Sequence, residues 1–519
     1  MKVSHLNASF GVLQGENSEL MQVRNFLRVQ RPGAYFEQAV QRGYRSPFRY
    51  FTKLLSSDTL LLYLGHLSLL GKFGIKALSY QPEFTEQEID TFLEGLPLPF
   101  KPYDFQISAV KSCLLNQRQL NTLATGSGKS LVISLIAEFY RQHGIRGLLL
   151  VPNINLLTQF KSDIATYNLK ALHERTETLG DGVTTIAECD LLISTWQSMI
   201  KHTAELSDFG YLICDECHLF GGDEVSQIIA KATTIKRRFG FTGTLPEDAE
   251  RKMMILGLFN YPKCFITSKE LIERGLACNV KITAICLKYP RDFLNVLRST
   301  KSYTDKLTAL KEYSPRNKVI TKLACALKGN TLVLGSHIDF LINTYRQIML
   351  ELYGIADIEM KNITGKGSFE YQKQFGVYYL AGSDDSLTRE CTRLILEHKF
   401  FKTSEGNTHD PQGEVIAELP QILVSNYKIL STGINIHRLH NMIFGMPMKS
   451  YNTVTQSIGR GMRLSPDKDT FNIYDIVDYT TAKGGVFAKS FKHRLDTSYR
   501  REQYEVTLKT IELGSTSKC

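Results

Sequence analysis

The sequence predicts an α/β chain: two tandem domains, each a parallel sheet with helices on both faces, preceded by a small α+β N-terminal domain. Three observations carry this expectation. From about residue 103, short continuous apolar runs alternate with longer helix-period segments, the texture of strands covered on both faces of a parallel sheet. The alternation occurs as two successive series. The 519 residues, 43% of them hydrophobic, suffice for more than one core at roughly 150 residues per domain.

Taken in order, residues 1–94 hold no phosphate-binding loop but a basic, aromatic run, Tyr44-Arg45-Ser46-Pro47-Phe48-Arg49-Tyr50. Residues 1–53 carry eight basic residues against three acidic ones, so Arg45 and Arg49 are candidate nucleic-acid contacts, with an ordinary solvated face as the alternative. Gly95-Leu96-Pro97-Leu98-Pro99 reads as a linker. Strands are expected at 120–123, 146–151, 190–194, 211–214 and 239–241, then at 281–288, 331–334, 376–380, 421–424, 441–444 and 471–474. The stretch 403–418, with Gly406, Pro411 and Gly413, reads as a loop insertion. The expected domains are 1–99, 100–278 and 279–480, followed by a basic extension, 481–519. That extension is expected either to contact DNA or to cap the second domain as an amphipathic helix.

Composition narrows the function. With 62 Lys and Arg against 52 Asp and Glu, the net charge of +10 favours an anionic partner, a polyanion or an acidic membrane surface. The densest apolar stretch, 60–70, is too short to span a bilayer and contains His66, and the start has no secretory pattern, so a cytoplasmic protein is expected. Ten scattered cysteines are expected to be reduced thiols. Cys214 and Cys217 form a C-x-x-C, but Asp215 and Glu216 lie between them and no second pair at zinc spacing accompanies it.

The strongest chemical signal is Ala124-Thr125-Gly126-Ser127-Gly128-Lys129-Ser130, between a strand and the helical pattern 131–140. Glycines let backbone N–H groups wrap phosphate oxygens, Lys129 reaches the β- and γ-phosphates, and Ser130 is a candidate Mg²⁺ ligand. Leu123 stands where the usual pattern has its first glycine. Hydrolysis needs acids at the end of another buried strand, which Asp215-Glu216-Cys217-His218 supplies. Asp215 would hold Mg²⁺, Glu216 would orient or deprotonate the attacking water, and His218 would couple the nucleotide to neighbouring motifs. Gln456, Arg460 and Arg463 fall at i, i+4 and i+7, one face of a helix suited to an arginine finger.

The ordered set from 103 to about 480 resembles that of the superfamily 2 DExH-type helicases. Gln106 resembles their adenine-reading glutamine, residues 124–130 motif I and Val151-Pro152-Asn153 motif Ia. Ser194-Thr195-Trp196-Gln197 sits where these enzymes grip the nucleic-acid backbone. Asp215 to His218 resembles motif II, Thr242-Gly243-Thr244 motif III, Ser431-Thr432-Gly433-Ile434-Asn435 motif V, and 456–463 motif VI. The layout is similar to that of the UvsW-type bacteriophage DNA helicases, through Asp-Glu-Cys-His, Thr267-Ser268-Lys269, Arg316-Asn317-Lys318 and the Phe48-Arg49-Tyr50 stretch.

The resemblance implies two RecA-like domains clamping ATP and Mg²⁺. Gln106, Thr125 to Ser130, Gly433 and Asn435 would bind nucleotide, and Lys129, Asp215, Glu216, His218, Gln456, Arg460 and Arg463 would act in hydrolysis. Pro152, Asn153, Thr195, Trp196 and Thr432 would touch the phosphodiester backbone. The implied activity is ATP-driven unwinding or translocation on double-stranded and branched DNA, with single-stranded DNA a further candidate, in phage-type recombination, repair and replication within a host cytoplasm. An RNA helicase, a restriction-type motor subunit and a non-hydrolysing ATP-dependent clamp remain the alternatives.

Overall fold

The continuous apolar runs form parallel strands in two separate seven-stranded sheets. The computed structural model describes residues 1–31, 34, 37–43, 45–76, 81–219, 223–365, 368–380, 384, 392, 408–409, 415–416, 421–427, 438–448, 450–465, 468–481 and 485–514. Two units result, Met1–Thr267 and Ser268–Cys519. This division precedes the expected boundary at 278. The stretch after Thr267 is tied into the second unit, where the Cys278 N–H donates to the Met462 carbonyl at 2.8 Å.

In the first unit an antiparallel sheet comes first: β1 (Lys2–His5), β2 (Phe10–Gln14), β5 (Thr52–Ser56) and β6 (Thr59–Tyr63), in the order β1-β2-β6-β5. A two-stranded ribbon, β3 (Arg28–Gln30) with β4 (Phe48–Tyr50), lies between them in sequence. The helix Asn17–Phe26 buries Leu20 and Val23, one turn apart, and they join Leu13, Leu60 and Leu62 in a small core. This α+β piece is not a free module. The Ala8 N–H donates to the Thr233 carbonyl at 2.9 Å, the buried Arg238 guanidinium donates to Ser9 Oγ at 2.7 Å, and Arg118 donates to the Ala8 carbonyl.

The large sheet of this unit comprises β7 (Arg118–Leu123), β8 (Gly147–Val151), β9 (Thr176–Leu179), β10 (Leu191–Thr195), β11 (Tyr211–Cys214), β12 (Arg237–Thr242) and β13 (Pro262–Ile266). All pairs are parallel, in the order β13-β7-β12-β11-β8-β10-β9. Every residue of β8 and β11 is buried, as strands covered on both faces require. The order places β12 between β7 and β11, so the chain leaves β7 on one side and returns on the other. The carboxyl ends of these three strands therefore frame a crevice where doubly wound sheets bind ligands.

The second unit repeats the plan with β14 (Asn279–Lys288), β15 (Thr331–Gly335), β16 (Val377–Leu380), β19 (Ile422–Asn426), β20 (Asn441–Phe444), β21 (Thr470–Tyr479) and β22 (Glu505–Glu512), ordered β16-β19-β15-β20-β21-β14-β22 and parallel throughout. The expected insertion at 403–418 falls largely outside the described residues; within it β17 (Thr408–His409) pairs antiparallel with β18 (Val415–Ile416).

Residues 481–519 depart from expectation. They are neither a separate tail nor a single capping helix. The helix Gly485–Arg494 continues into a π-helical turn, Leu495–Tyr499, and then leads to β22, which adds an edge strand beside β14. Arg494, counted in sequence among the surface cations, is buried against Asp475 at 2.7 Å. Asp475 also accepts from the Tyr499 hydroxyl at 2.7 Å. Three positions along β21, Asp478 forms a second buried pair with Arg316 at 2.8 Å and accepts from the Tyr289 hydroxyl at 2.6 Å. Among the described residues eight cysteines are free, and burial pushes the Cys214 and Cys217 thiols well above their usual range.

His66 joins the N-terminal piece to the large sheet's flank. Its Nε2 lies 2.7 Å from the Met253 carbonyl and must carry the proton, while Nδ1 is buried without a partner among the described residues, between the Phe51 and Tyr63 rings. Burial pulls its pKa down to about 4. An unfolded histidine titrates higher, so the unfolded chain takes up the extra proton between the two values. Stability from this site is therefore present above about pH 6.5 and is lost as pH falls towards about 4, by on the order of 3 kcal/mol. Urea titrations at pH 7.5 and pH 5, which cover part of this window, should show a loss of about 2 kcal/mol in the wild type and a smaller one in His66→Gln. Equal losses would contradict the assignment.

Candidate active site

The loop after β7 shows why its residues are spaced as they are. Leu123 is the last residue of β7 and fully buried, so the position that usually carries glycine needs no special backbone here. Gly126 and Gly128 take the left-handed region, with φ of 86° and 80°, and turn the chain sharply into the helix Lys129–Gln142. That helix directs its N-terminal N–H groups and positive dipole end into the loop. Gln106 braces the turn from the neighbouring helix Asp104–Leu115. Its amide nitrogen donates to the Ser127 carbonyl at 2.8 Å, and its oxygen accepts from the Tyr103 N–H at 2.9 Å. The residue expected to read adenine thus also fixes the phosphate loop.

Across β12, the end of β11 presents the paired acids. Asp215 is buried, and Glu216 follows with φ of 46°, a conformation uncommon for a residue with a side chain and characteristic of constrained sites. Lys129 Nζ lies 3.8 Å from Glu216 Oε1. Burial, then repulsion from Glu216, raises the Asp215 carboxyl to about pH 7 against the opposing pull of Lys129. Asp215 Oδ1 and Ser127 Oγ are buried with no hydrogen-bond partner among the described residues. A buried, partnerless carboxylate oxygen beside a phosphate loop fits a divalent cation held partly by nucleotide oxygens. Ser130, the other expected ligand, has its Oγ 2.8 Å from the Tyr167 hydroxyl. Among the described residues no cluster of three or more His, Cys, Asp or Glu could hold a metal alone.

His218 is a connector. Its Nδ1 lies 2.9 Å from Thr242 Oγ1 and 3.3 Å from Glu216 Oε2. The Thr242 hydroxyl donates its one hydrogen to the Thr244 carbonyl at 2.7 Å, so it accepts from His218, and Nδ1 carries the proton. Thr242 was missed as a functional residue by sequence reasoning. The motif III match at 242–244 was its available signal.

The candidate nucleic-acid contacts fare unevenly. Asn153 caps the helix Ile154–Thr166, accepting from the Leu156 N–H at 3.0 Å, and Pro152 before it is half-buried. Thr195 caps the next short helix, while Trp196 packs partly buried against the core. Arg49 is half-buried and ion-paired with Glu250, and Arg45 is exposed, 3.6 Å from Glu37. The Arg24 and Arg28 guanidiniums stack over the Tyr50 and Phe48 rings at 4.5 and 4.3 Å, which occupies the aromatic surface the sequence offered for bases. Tyr44 lies outside the described residues, as do Thr432, Gly433 and Asn435.

In the second unit, Gln456 and Arg460 lie one turn apart on the helix Tyr451–Gly461. The expectation of a third residue on that helix is corrected: the helix ends at Gly461 and Arg463 follows in a bend. The physical reason is packing. A Cβ at Gly461 would lie 2.2 Å from the Phe471 ring, and the buried Lys468 ammonium closes the helix end by donating to the Gly461 carbonyl at 2.7 Å.

Comparison with known proteins agrees with this arrangement. Residues 99–247, which contain the phosphate loop and the paired acids, match the family model "Type III restriction enzyme, res subunit". The chain is 27% identical over 96% of its length to the ATP-dependent DNA helicase uvsW of Enterobacteria phage T4, covering 97% of that protein. It is 29% identical over 45% of its length to the DNA 3'-5' translocase XPB2 of Sulfurisphaera tokodaii, covering 54% of that protein. For the fold, a fragment described as an HsdR subunit of a type I restriction enzyme from Vibrio vulnificus YJ016 aligns with a TM-score of 0.56 at 18% identity, over 86% of this chain and 73% of that one. With similarity to a phage helicase running nearly end to end and the phosphate loop, paired acids and histidine connector converging on one sheet edge, the chain is similar to the superfamily 2 DExH-type helicases and resembles their UvsW-type members.

Proposed function

We propose that this protein is an ATP-dependent DNA helicase or translocase that remodels branched DNA through fork regression, junction branch migration and D-loop or R-loop unwinding. The observation that carries the reading is the Lys129–Glu216 pair at 3.8 Å, beside the partnerless oxygen of Asp215 at the carboxyl edge of the sheet. It supports the reading because the cation proposed to meet phosphate, the carboxylate proposed to orient water and the one proposed to hold a cation share one crevice. Similarity over nearly the full length to a protein named an ATP-dependent DNA helicase supports DNA as the track.

Before nucleotide binds, Lys129 neutralises Glu216. Phosphate oxygens arriving in the loop compete for the lysine and free the glutamate to orient water for in-line attack. Ser130 and Asp215 would hold Mg²⁺, which supplies neutralisation of charge on the β- and γ-phosphate oxygens. His218, fixed by Thr242, holds Glu216 in register with motif III. Gln456, Arg460 and Arg463 would meet the charge developing on the γ-phosphate, and Gln106 would read the base. Pro152, Asn153, Thr195 and Thr432 would grip the DNA backbone, with Gly433 and Asn435 on the nucleotide side of their motif. Such contacts carry little sequence information.

Lys129→Ala and Glu216→Gln should each lower DNA-stimulated ATP hydrolysis by at least about a hundredfold while DNA binding persists. Turnover at wild-type rates in both would remove the assigned roles. Arg460→Ala and Arg463→Ala should lower kcat by about a thousandfold with little change in KM for ATP, the signature of groups that act on transition-state charge. A rise in KM at unchanged kcat would instead make them ground-state binders. Unwinding measured on matched fork, four-way junction and linear duplexes should favour the branched substrates. Affinity should fall by about a thousandfold or more between 50 and 200 mM salt, equally for unrelated sequences of one architecture. Stimulation by RNA in place of DNA would favour the RNA-helicase alternative, and nucleotide binding without turnover the clamp.

A further inference from the structure

The helix opened by Asn153 ends at Tyr167, and this tyrosine joins three parts of the first unit. Its hydroxyl lies 2.8 Å from Ser130 Oγ at the start of the phosphate-loop helix. Its ring meets Phe100 edge-on at a centroid separation of 6.0 Å. Its backbone N–H closes the helix Ile154–Thr166 on the Asp163 carbonyl at 3.0 Å. The next residue, Asn168, takes a φ of 60° and donates its side-chain amide to the Pro97 carbonyl at 2.8 Å. Pro97 and Phe100 belong to the segment leading from the N-terminal piece into the large sheet.

We propose that Tyr167 is a positioning residue that couples nucleotide occupancy at Ser130 to the DNA grip at Asn153. The inference rests on the proposed roles of those two residues. A serine hydroxyl has one hydrogen to give. Whether it goes to the Tyr167 oxygen or the phenol donates instead, the contact fixes the direction of Ser130 Oγ, so the phenol sets the rotamer in which the serine can serve a cation. The phenol is in turn part of the helix end: it cannot follow Ser130 without dragging the Tyr167–Asn168 turn. A 13-residue helix is a rigid rod of about 20 Å, so movement at its closing turn is delivered to Asn153 at its start. Coupling of this kind is a difference in DNA affinity with and without nucleotide.

The test uses the full chain and Tyr167→Phe, which keeps the ring on Phe100 and removes only the hydroxyl. Affinity for a fluorescent single-stranded oligonucleotide is measured with and without Mg²⁺ and a non-hydrolysable ATP analogue, and the ratio gives the coupling factor. Tyr167→Phe should reduce that factor by about fivefold and leave nucleotide-free DNA affinity at the wild-type value. Phe100→Leu, which perturbs the ring contact and spares the hydroxyl, should keep the factor. A wild-type factor in Tyr167→Phe overturns the proposal, as does an equal loss in Phe100→Leu, since packing rather than the hydroxyl would then carry the effect. A wild type that binds DNA equally with and without the analogue overturns instead the roles of Ser130 and Asn153, and the proposal with them.

Discussion

Two adjacent carboxylates, the first of them buried, must be kept together at the end of β11, and much of the first unit follows from that constraint. Burial and mutual repulsion push Asp215 up to about pH 7, and Lys129 is the cation that opposes them. The lysine can do so only because Gly126 and Gly128 turn the loop sharply enough to start a helix beside β11, and because β12 keeps β7 and β11 one strand apart. Glu216, with its left-handed backbone, brings the second acid within 3.8 Å of the lysine. Such a site is unfinished without a ligand. Its electrostatic imbalance is what an anionic phosphate chain with its own cation would relieve.

Legibility in the sequence follows burial. The strands recognised from continuous apolar runs are those covered on both faces, such as β8, β11 and β15. Those missed in the two large sheets, β9, β13 and β22, lie at sheet edges, and β22 is mostly exposed. An edge strand such as Glu505–Glu512 mixes charged residues and threonines with Val, Leu and Ile, and looks like a solvated surface until its partner is known. In the site, the residue types of the phosphate loop and acids were legible because the chemistry admits few substitutes. Tyr167 was not, since a hydroxyl acting through another residue leaves no spacing rule, and Thr242 was legible only through the motif III match at 242–244.

Charge counting misled most at the ends of the chain. The basic residues of 481–519 suggested a surface, yet Arg494 is buried with Asp475 only three positions along β21 from the buried Arg316–Asp478 pair. Both aspartates also accept from tyrosine hydroxyls. Buried ion pairs add little net stability, but removing one partner typically costs about 3–5 kcal/mol, so their effect is to enforce a single arrangement. Here they fix β21 to the helices on either side of it in sequence, and with β21 the end of the helix bearing Gln456 and Arg460, whose Gly461 rests on Phe471. Arg494, one of the cations that made the C-terminal stretch look available, holds the second sheet together instead, while Lys489, Lys492, Arg500, Arg501 and Lys509 stay exposed.

The same reasoning limits what the N-terminal charge can do. Arg49 is committed to Glu250, and Arg24 and Arg28 stack on Tyr50 and Phe48. Arg118 and Arg238, which lie in the large sheet, reach out to Ala8 and Ser9 and tie the N-terminal piece to it. Guanidiniums spent on rings and carboxylates of the same unit contribute to long-range attraction but are poorly placed for direct phosphate pairing. The piece acts first as a fixed buttress on β7, β12 and the helix Ala249–Phe259, through contacts that begin at Ala8 and end at His66. Discrimination among DNA architectures would then come less from independent affinity of this piece than from where it is rigidly held beside the motor, which makes its attachment as important as its charge.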